Sequence, residues 1–332
     1  MASGYLCTVP EQAILLATGD DAASFLHSQL SNDVLKLGEK EARLATYCNA
    51  KGRMLASFLM WKSGANIYLQ MTQDLLPAMQ KRLQMYALRA KIKLSPATEL
   101  FALGLGGSKA QAALAPWFSG LADLAVGGKL DATESCFGCV LRLADSLGQP
   151  RYQWLLAEAQ ALAVWPQLAA QLTAMPSEMW NLFAIHAGIA RIEAATVEKF
   201  VPQMVNFELV GGVNFKKGCY PGQEVVARSQ YLGKLKRRMY LAHSDASALA
   251  AGSEVFSSAD PEQACGMVVN AAINPAGGVD ALLELKSALI NAGSLHVDSH
   301  PITLLTLPYA LPNEEKTEEK AQEQAPASAE KQ

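Results

Sequence analysis

The chain has 332 residues, half of them apolar and 18% charged, with a formal net charge of −3. That length suits about two domains of ~100–200 residues and a sizeable core, and the charge supplies no global pull toward nucleic acid or anionic lipid. The N-terminus lacks the charged and apolar blocks of a secretory signal, no apolar run approaches the ~20 residues of a bilayer span, and the six scattered cysteines fit a reducing cytoplasm better than a disulfide framework.

Taken in chain order, residues 12–18 read as a buried strand. Gly19-Asp20-Asp21 turns the chain, an Asp caps the next helix, and Ala22, Phe25, Leu26 and Leu30 share its apolar face. Residues 53–61 and 66–71 pair around the turn Lys62–Ala65. Thr72 caps a helix to about Tyr86 with Pro77 in its first turn. A strand at 100–105 precedes a helix starting at Ser108 and ending near Pro116. Strands at 137–144 and 152–157 are followed by a helix over 158–173, which Pro166 should kink or restart. Ser177 caps a helix with Met179, Trp180, Leu182, Phe183 and His186 that stops at Gly188. From Arg238 to about Leu307, short strand-like runs divided by Gly, Pro, Ser and Asp suit a small β-barrel. The stretch from Asn313 has almost no large apolar residue and reads as a disordered tail. The expected division is 1–230 for an α+β region, 231–310 for the barrel and 311–332 for the tail.

One segment differs from the rest. Gly211, Gly212, Gly218, Gly222 and Gly233 fall close together, and Gly218 and Gly222 bracket Cys219-Tyr220-Pro221. Such glycines permit left-handed backbone and close approach of a ligand, and Pro221-Gly222 suits a tight turn. Gln223–Arg228 reads as a helix start, with Glu224 and Arg228 spaced to pair on one face. Cys219 would precede a helix N-terminus with Lys217 two residues away, and both features favour thiolate. The residues alone leave two equal readings: a reactive cysteine, and a small buried cysteine in a packed turn.

Lys217-Gly218-Cys219-Tyr220-Pro221-Gly222-Gln223-Glu224, followed by Arg228, resembles the signature of the YgfZ family, K-G-C-[FY]-x-G-Q-E and a nearby arginine. The resemblance extends to Trp180-Asn181 and Ile185–Ile189, to Phe200–Gln203 with Asn206, to Thr18–Asp20 with Phe25-Leu26, and to Asn49–Arg53. It covers roughly residues 10–310. It implies an α+β fold like the glycine-cleavage T-protein (aminomethyltransferase), with ferredoxin-like subdomains around a channel and a C-terminal β-barrel.

The resemblance also implies tetrahydrofolate in that channel and support of iron–sulfur proteins such as tRNA methylthiolases, hence of tRNA modification. Trp180 matches a family tryptophan that contacts folate, and Arg53 and Arg191 are candidates for its polar groups. Cys219 would be the working thiol and Lys217 would tune it. Gly218, Tyr220, Gly222, Gln223, Glu224 and Arg228 would shape the loop. Two departures stand out. Gln12 replaces a tryptophan of the first strand, and His186 stands where aminomethyltransferases carry a glutamate. The latter counts against the alternative of true one-carbon transfer, which needs a carboxylate.

Other signals are weaker. Cys136-x-x-Cys139 lacks the second pair of a zinc site. Gly104–Lys109 fits neither common phosphate-loop pattern. Lys234, Lys236, Arg237 and Arg238 form a short basic cluster, the basis of a further alternative, direct tRNA binding. Clusters of four charges are more often solvated faces.

Overall fold

Residues 13–17 form a continuous apolar run and 66–72 place Ile67, Leu69 and Met71 at every second position, and both stretches become antiparallel strands. The computed structural model describes residues 3–9, 11–231 and 235–312. Its strands through the first two-thirds are β1 (Tyr5–Thr8), β2 (Gln12–Thr18), β3 (Ala42–Cys48), β4 (Met54–Ser63), β5 (Asn66–Thr72), β6 (Lys93–Pro96), β7 (Phe101–Gly106), β8 (Lys129–Asp131), β9 (Cys139–Ser146), β10 (Gln149–Leu156) and β11 (Thr173–Ala174). The helices are α1 (Ala22–Gln29), α2 (Leu76–Tyr86), α3 (Ala110–Leu114), α4 (Glu158–Ala169), α5 (Glu178–His186) and α6 (Gln223–Tyr231).

Two sheets form. One has the order β3-β4-β5-β2-β6, the other β11-β1-β7-β10-β9-β8. In the first, Phe25 and Leu26 of α1 and Met79 and Leu83 of α2 share a core with Leu15, Leu69 and Met71. In the second, α3 and α4 bury Leu114, Val164 and Leu168 against Leu103, Leu105 and Trp154. The other faces of the sheets meet through Ile14, Trp61, Leu141 and Leu155. The layers therefore run helices, sheet, sheet, helices, an α+β arrangement in which apolar side chains on both faces of the sheets find partners.

The chain then enters β12 (Arg237–Ser244), β13 (Glu254–Ser257), β14 (Gly266–Ile273), β15 (Val279–Lys286), β16 (Leu295–Val297) and β17 (His300–Leu305). These close into a barrel of order β12-β15-β14-β13-β16-β17, as the short-strand pattern predicts. Met239, Leu241, Val269 and Leu282 of the barrel join the same core as the first sheet. Beyond β17 the chain returns to the α+β region, where the Tyr309 hydroxyl donates to Gly188 O at 2.8 Å. The expected tail beyond residue 312 lies outside the described residues.

The local capping expectations are corrected. None of Asp21, Thr72 and Ser177 caps its helix through its side chain. The Asp21 carboxylate instead accepts the Lys91 N–H at 2.8 Å, Thr72 Oγ1 donates to Ile192 O at 2.8 Å, and Ser108 Oγ donates to Ser3 O at 2.9 Å. Tertiary partners win these short polar side chains. Nor does the helix restart at Pro166: α4 runs through it. The carbonyl that the proline cannot serve belongs to Leu162, whose side chain is solvent-exposed.

Candidate functional site

A cavity of about 910 Å³ opens where the two sheets, α5 and the segment 209–214 converge. That size lies in the usual range for small-ligand sites of ~300–1,000 Å³. Its wall combines apolar residues such as Phe58, Leu59, Met71 and Ala184 with Ser57, Gln70, Gln153, Arg151, Trp180 and Arg191. Gln12 lines it too, where the family resemblance places a tryptophan.

Local sequence explains the floor. On β10 the residues alternate: Tyr152, Trp154 and Leu156 enter the core under α3 and α4, which turns Arg151 and Gln153 to the opposite face. Gln153 Nε2 donates to Gln70 Oε1 at 2.9 Å, bridging the two sheets. Arg151 lies with its guanidinium carbon 4.4 Å from the Trp180 ring centroid, a cation–π contact. The ring of Trp180 fits because β7 carries Gly104, where an added Cβ would fall 2.4 Å from Trp180 Cε3. Trp180 is only 2% exposed, so it acts on the cavity chiefly by holding Arg151.

Of the arginines singled out in the sequence, Arg191 is on the cavity wall and donates through Nη1 to Asn181 Oδ1 at 2.6 Å. Burial lowers its pKa, while Glu193 and Glu11 favour its charge. Arg53 is elsewhere: its guanidinium donates to Lys199 O, and it does not line the cavity. Arg151, Gln70 and Gln153 were missed. Their signal is polar residues spaced by two inside otherwise apolar strands, which one sequence does not separate from an exposed strand face.

The glycine-rich segment starts at the cavity and ends away from it. Gly211 and Asn214 line the wall, held by Asn32 Nδ2 donating to Gly211 O at 2.8 Å and by Ser31 Oγ donating to Gly212 O at 2.6 Å. Further on, Gly222 (φ +77°) allows the turn to lie on the loop Asn49–Arg53, where a Cβ would be 2.3 Å from Asn49 O and 2.6 Å from Gly52 N. The Asn49 carboxamide oxygen accepts the N–H groups of Lys51 and Arg53 at 2.9 and 3.0 Å. Two stretches that resemble the family thus interlock. A third, 200–206, supports them: Gln203 Nε2 donates to Val226 O at 2.7 Å.

Cys219 is exposed just before α6, which removes the reading of a buried, packed thiol. Lys217 is 8% exposed, and its ammonium donates to the carbonyls of His27 and, at 2.7 Å, Leu30. Those carbonyls belong to the last turn and the C-cap of α1, where a helix favours a cation. Burial pulls the Lys217 pKa down to about 8, against the opposing influence of Asp33 and Cys219. The ammonium also lies 5.0 Å from the ring centroid of the buried Tyr220. Gln223 Oε1 accepts the Tyr220 N–H at 3.1 Å, closing the turn. Gly218 faces His27, whose Nε2 would be 3.4 Å from an added Cβ. Among the described residues no ion pair joins Glu224 to Arg228, and both are exposed.

Asp33 links the two regions. It lines the cavity, and its Oδ1 is 3.2 Å from His27 Nδ1. Burial and Lys217 lower the His27 pKa while Asp33 raises it.

The structure disperses the basic cluster. Arg237 pairs with Glu284 at 2.7 Å and Arg238 with Glu208, Lys236 is exposed, and Lys234 lies outside the described residues. His186 turns from the cavity to the barrel, its Nε2 2.7 Å from Asp280 Oδ2. Among the described residues, no group of three or more His, Cys, Asp or Glu could hold a metal ion, and no helix is long and apolar enough to cross a membrane.

No protein-family model matches the chain. A glycine cleavage system aminomethyltransferase T from Bartonella henselae has a similar structure, with a TM-score of 0.75 over 92% of this chain and 86% of that one at 16% identity. At that identity the likeness establishes the fold. Curated proteins named tRNA-modifying protein YgfZ from Escherichia coli and Escherichia fergusonii are 31% identical over 249 residues, 75% of this chain and 74% of theirs. With that identity over three-quarters of both lengths, on an aminomethyltransferase fold, the chain belongs to the YgfZ family.

Proposed function

We propose that this protein binds tetrahydrofolate in the cavity and supports tRNA modification, with Cys219 as the thiol that engages iron–sulfur proteins such as tRNA methylthiolases. The carrying observation is the cavity itself: apolar walls converging on buried donors, with Gln70 Nε2 and Arg151 Nε lacking any hydrogen-bond partner. Buried polar atoms are rarely left unmatched, so a ligand rich in acceptors fits. Family membership and the relatives' name support the tRNA half. Tetrahydrofolate, when bound, supplies a one-carbon carrier. Arg151, Gln70, Gln153 and Arg191 orient it, while Phe58, Leu59 and Met71 exclude water from one side.

Cys219 stands outside the cavity on the loop that begins at its wall. A macromolecular client can therefore reach the thiol without entering the channel. All six cysteines are free, which supports a reducing, cytoplasmic setting.

Calorimetric titration with tetrahydrofolate tests the first half, with Ala184→Leu as the variant that narrows the cavity. Saturable binding weakened about tenfold, ~1.4 kcal/mol, is expected, and a wild type that binds nothing removes the folate role. For the second half, Cys219→Ser should fold, keep folate binding and fail to sustain methylthiolated tRNA in cells lacking the wild-type chain. Normal thiolation there would dismiss the thiol.

A further inference from the structure

Five basic side chains line the cavity: Lys36, Arg43, Arg142, Arg151 and Arg191. Four have acidic company. Lys36 is 4.0 Å from Asp33, Arg43 is 2.6 Å from Glu41, and Arg142 pairs with Asp145. Arg191 has Glu193 and Glu11. Arg151 has none: among the described residues no carboxylate lies within ion-pair distance of it.

Its surroundings make that unusual. Arg151 is 3% exposed. One side is the Trp180 ring, which offers a π face but no formal charge. Tyr5 and Cys7 adjoin it, and the Tyr5 hydroxyl is a neutral hydrogen-bond partner of the guanidinium; burial pushes both of their pKa values up to about 12, so neither is ionised near neutrality. The neighbouring charges Arg142 and Arg191 repel it, and burial already lowers its own pKa. A buried guanidinium with no counter-charge and an unused Nε–H is disfavoured unless something else supplies the anion. Gln70, 2% exposed, adds an unused donor at Nε2, and it is bonded to Gln153, two residues from Arg151 on β10.

We propose that Arg151 and Gln70 form an anionic-oxygen subsite in the cavity floor, which takes a carboxylate of the bound ligand. The planar guanidinium suits carboxylate geometry. The proposal deepens the tetrahydrofolate reading and rests on it for the ligand's identity, not for the charge of the subsite. Two sources carry this chemistry: the glutamate moiety of folate itself, and a separate small acid held beside the pterin ring.

The test titrates wild type, Arg151→Met and Arg151→Lys with four probes: tetrahydrofolate, tetrahydrobiopterin (the ring without a carboxylate), p-aminobenzoylglutamate and acetate. Arg151→Met should weaken at least one carboxylate probe tenfold or more and change tetrahydrobiopterin by less than twofold. Loss of p-aminobenzoylglutamate binding assigns the carboxylate to folate, and loss confined to acetate assigns it to a separate acid. Unligated Arg151→Met should melt no lower than wild type, because it sheds an unmatched buried charge.

The subsite is overturned if both carboxylate probes bind the variant as they bind wild type, if wild type binds neither, or if tetrahydrobiopterin suffers equally. Tetrahydrofolate binding that is indifferent to Arg151, with p-aminobenzoylglutamate and acetate equally indifferent, keeps the folate reading and dismisses the subsite. Arg151-dependent acetate binding without any tetrahydrofolate binding does the reverse. Should the Met variant fail to fold, Arg151→Lys decides: carboxylate binding weakened three- to tenfold with the ring probe unchanged supports the planar fork, and no change refutes it.

Discussion

Gly104 and Trp180 occupy one space: a Cβ on Gly104 would lie 2.4 Å from the indole Cε3 and 2.7 Å from Cζ3. The glycine on β7 and the tryptophan on α5 are 76 positions apart in sequence (180 − 104), yet the first makes the second possible, and the second holds Arg151.

Gly104→Ala should destabilise the protein by about 1–3 kcal/mol through overpacking. In a Trp180→Ala background the same change should cost much less, with Cys7 Sγ, 3.0 Å from the new Cβ, the close contact that remains. Denaturant unfolding of the four proteins gives the coupling. An identical cost in both backgrounds would show that the ring is not the obstacle.

Gly222→Ala meets two penalties, a left-handed φ of +77° and backbone atoms of Asn49 and Gly52 within 2.7 Å of the new Cβ. The expected loss is about 3 kcal/mol, with faster proteolytic cleavage between residues 216 and 224. A variant as stable and as protease-resistant as wild type would mean that the two loops do not interlock.

Of the six cysteines, Cys136 and Cys219 are exposed and Cys7, Cys48, Cys139 and Cys265 are buried. Burial pushes Cys7, Cys48 and Cys139 up to about 12 and also raises Cys265. Both exposure and thiolate fraction govern alkylation. N-ethylmaleimide should therefore label two sites in the native protein and six after denaturation, as read by mass spectrometry. Protection of native Cys219 would contradict its place on the surface.

The barrel is fastened to α5 by a buried carboxylate between two histidines. Asp280 receives His186 Nε2 and His243 Nδ1, each at 2.7 Å, and Asn274 Nδ2 at 2.8 Å. The Asp280 hydrogen bond raises the His243 pKa, with burial opposing it and Asp245 adding to it. For Asp280, burial opposes ionisation but the two histidines outweigh it, so its pKa falls. A raised histidine contributes stability that is fully present below its unfolded value of about 6.5 and lost as pH climbs through the folded value. A lowered aspartate contributes stability present above its unfolded value of about 3.9 and lost as pH drops through the folded one. The fastening is strongest between those limits. His243→Gln should cost about 1 kcal/mol near pH 5.5 and much less at pH 8.5. A cost that grows toward alkaline pH would reverse the sign and the argument.

The sequence by itself determined the local elements and the class of the chain. Strand 12–18, the pair around Lys62–Ala65, the helix ending at Gly188 and the short-strand barrel follow from apolar spacing and turn residues, which act over a few neighbours. The segment around Cys219 was legible because its glycines, proline and cysteine sit together in one stretch. Only the tertiary structure decided what surrounds each polar group. Arg237 and Arg238 look like a basic patch until Glu284 and Glu208 neutralise them. Arg53 and Arg191 look alike until one lies outside the cavity wall and the other on it. Arg151 shows in the sequence only as a polar residue in an apolar strand, since an uncompensated charge is defined by the partners that fail to arrive from distant strands. Charge balance and burial are sums over space, and a linear chain does not carry them until it folds.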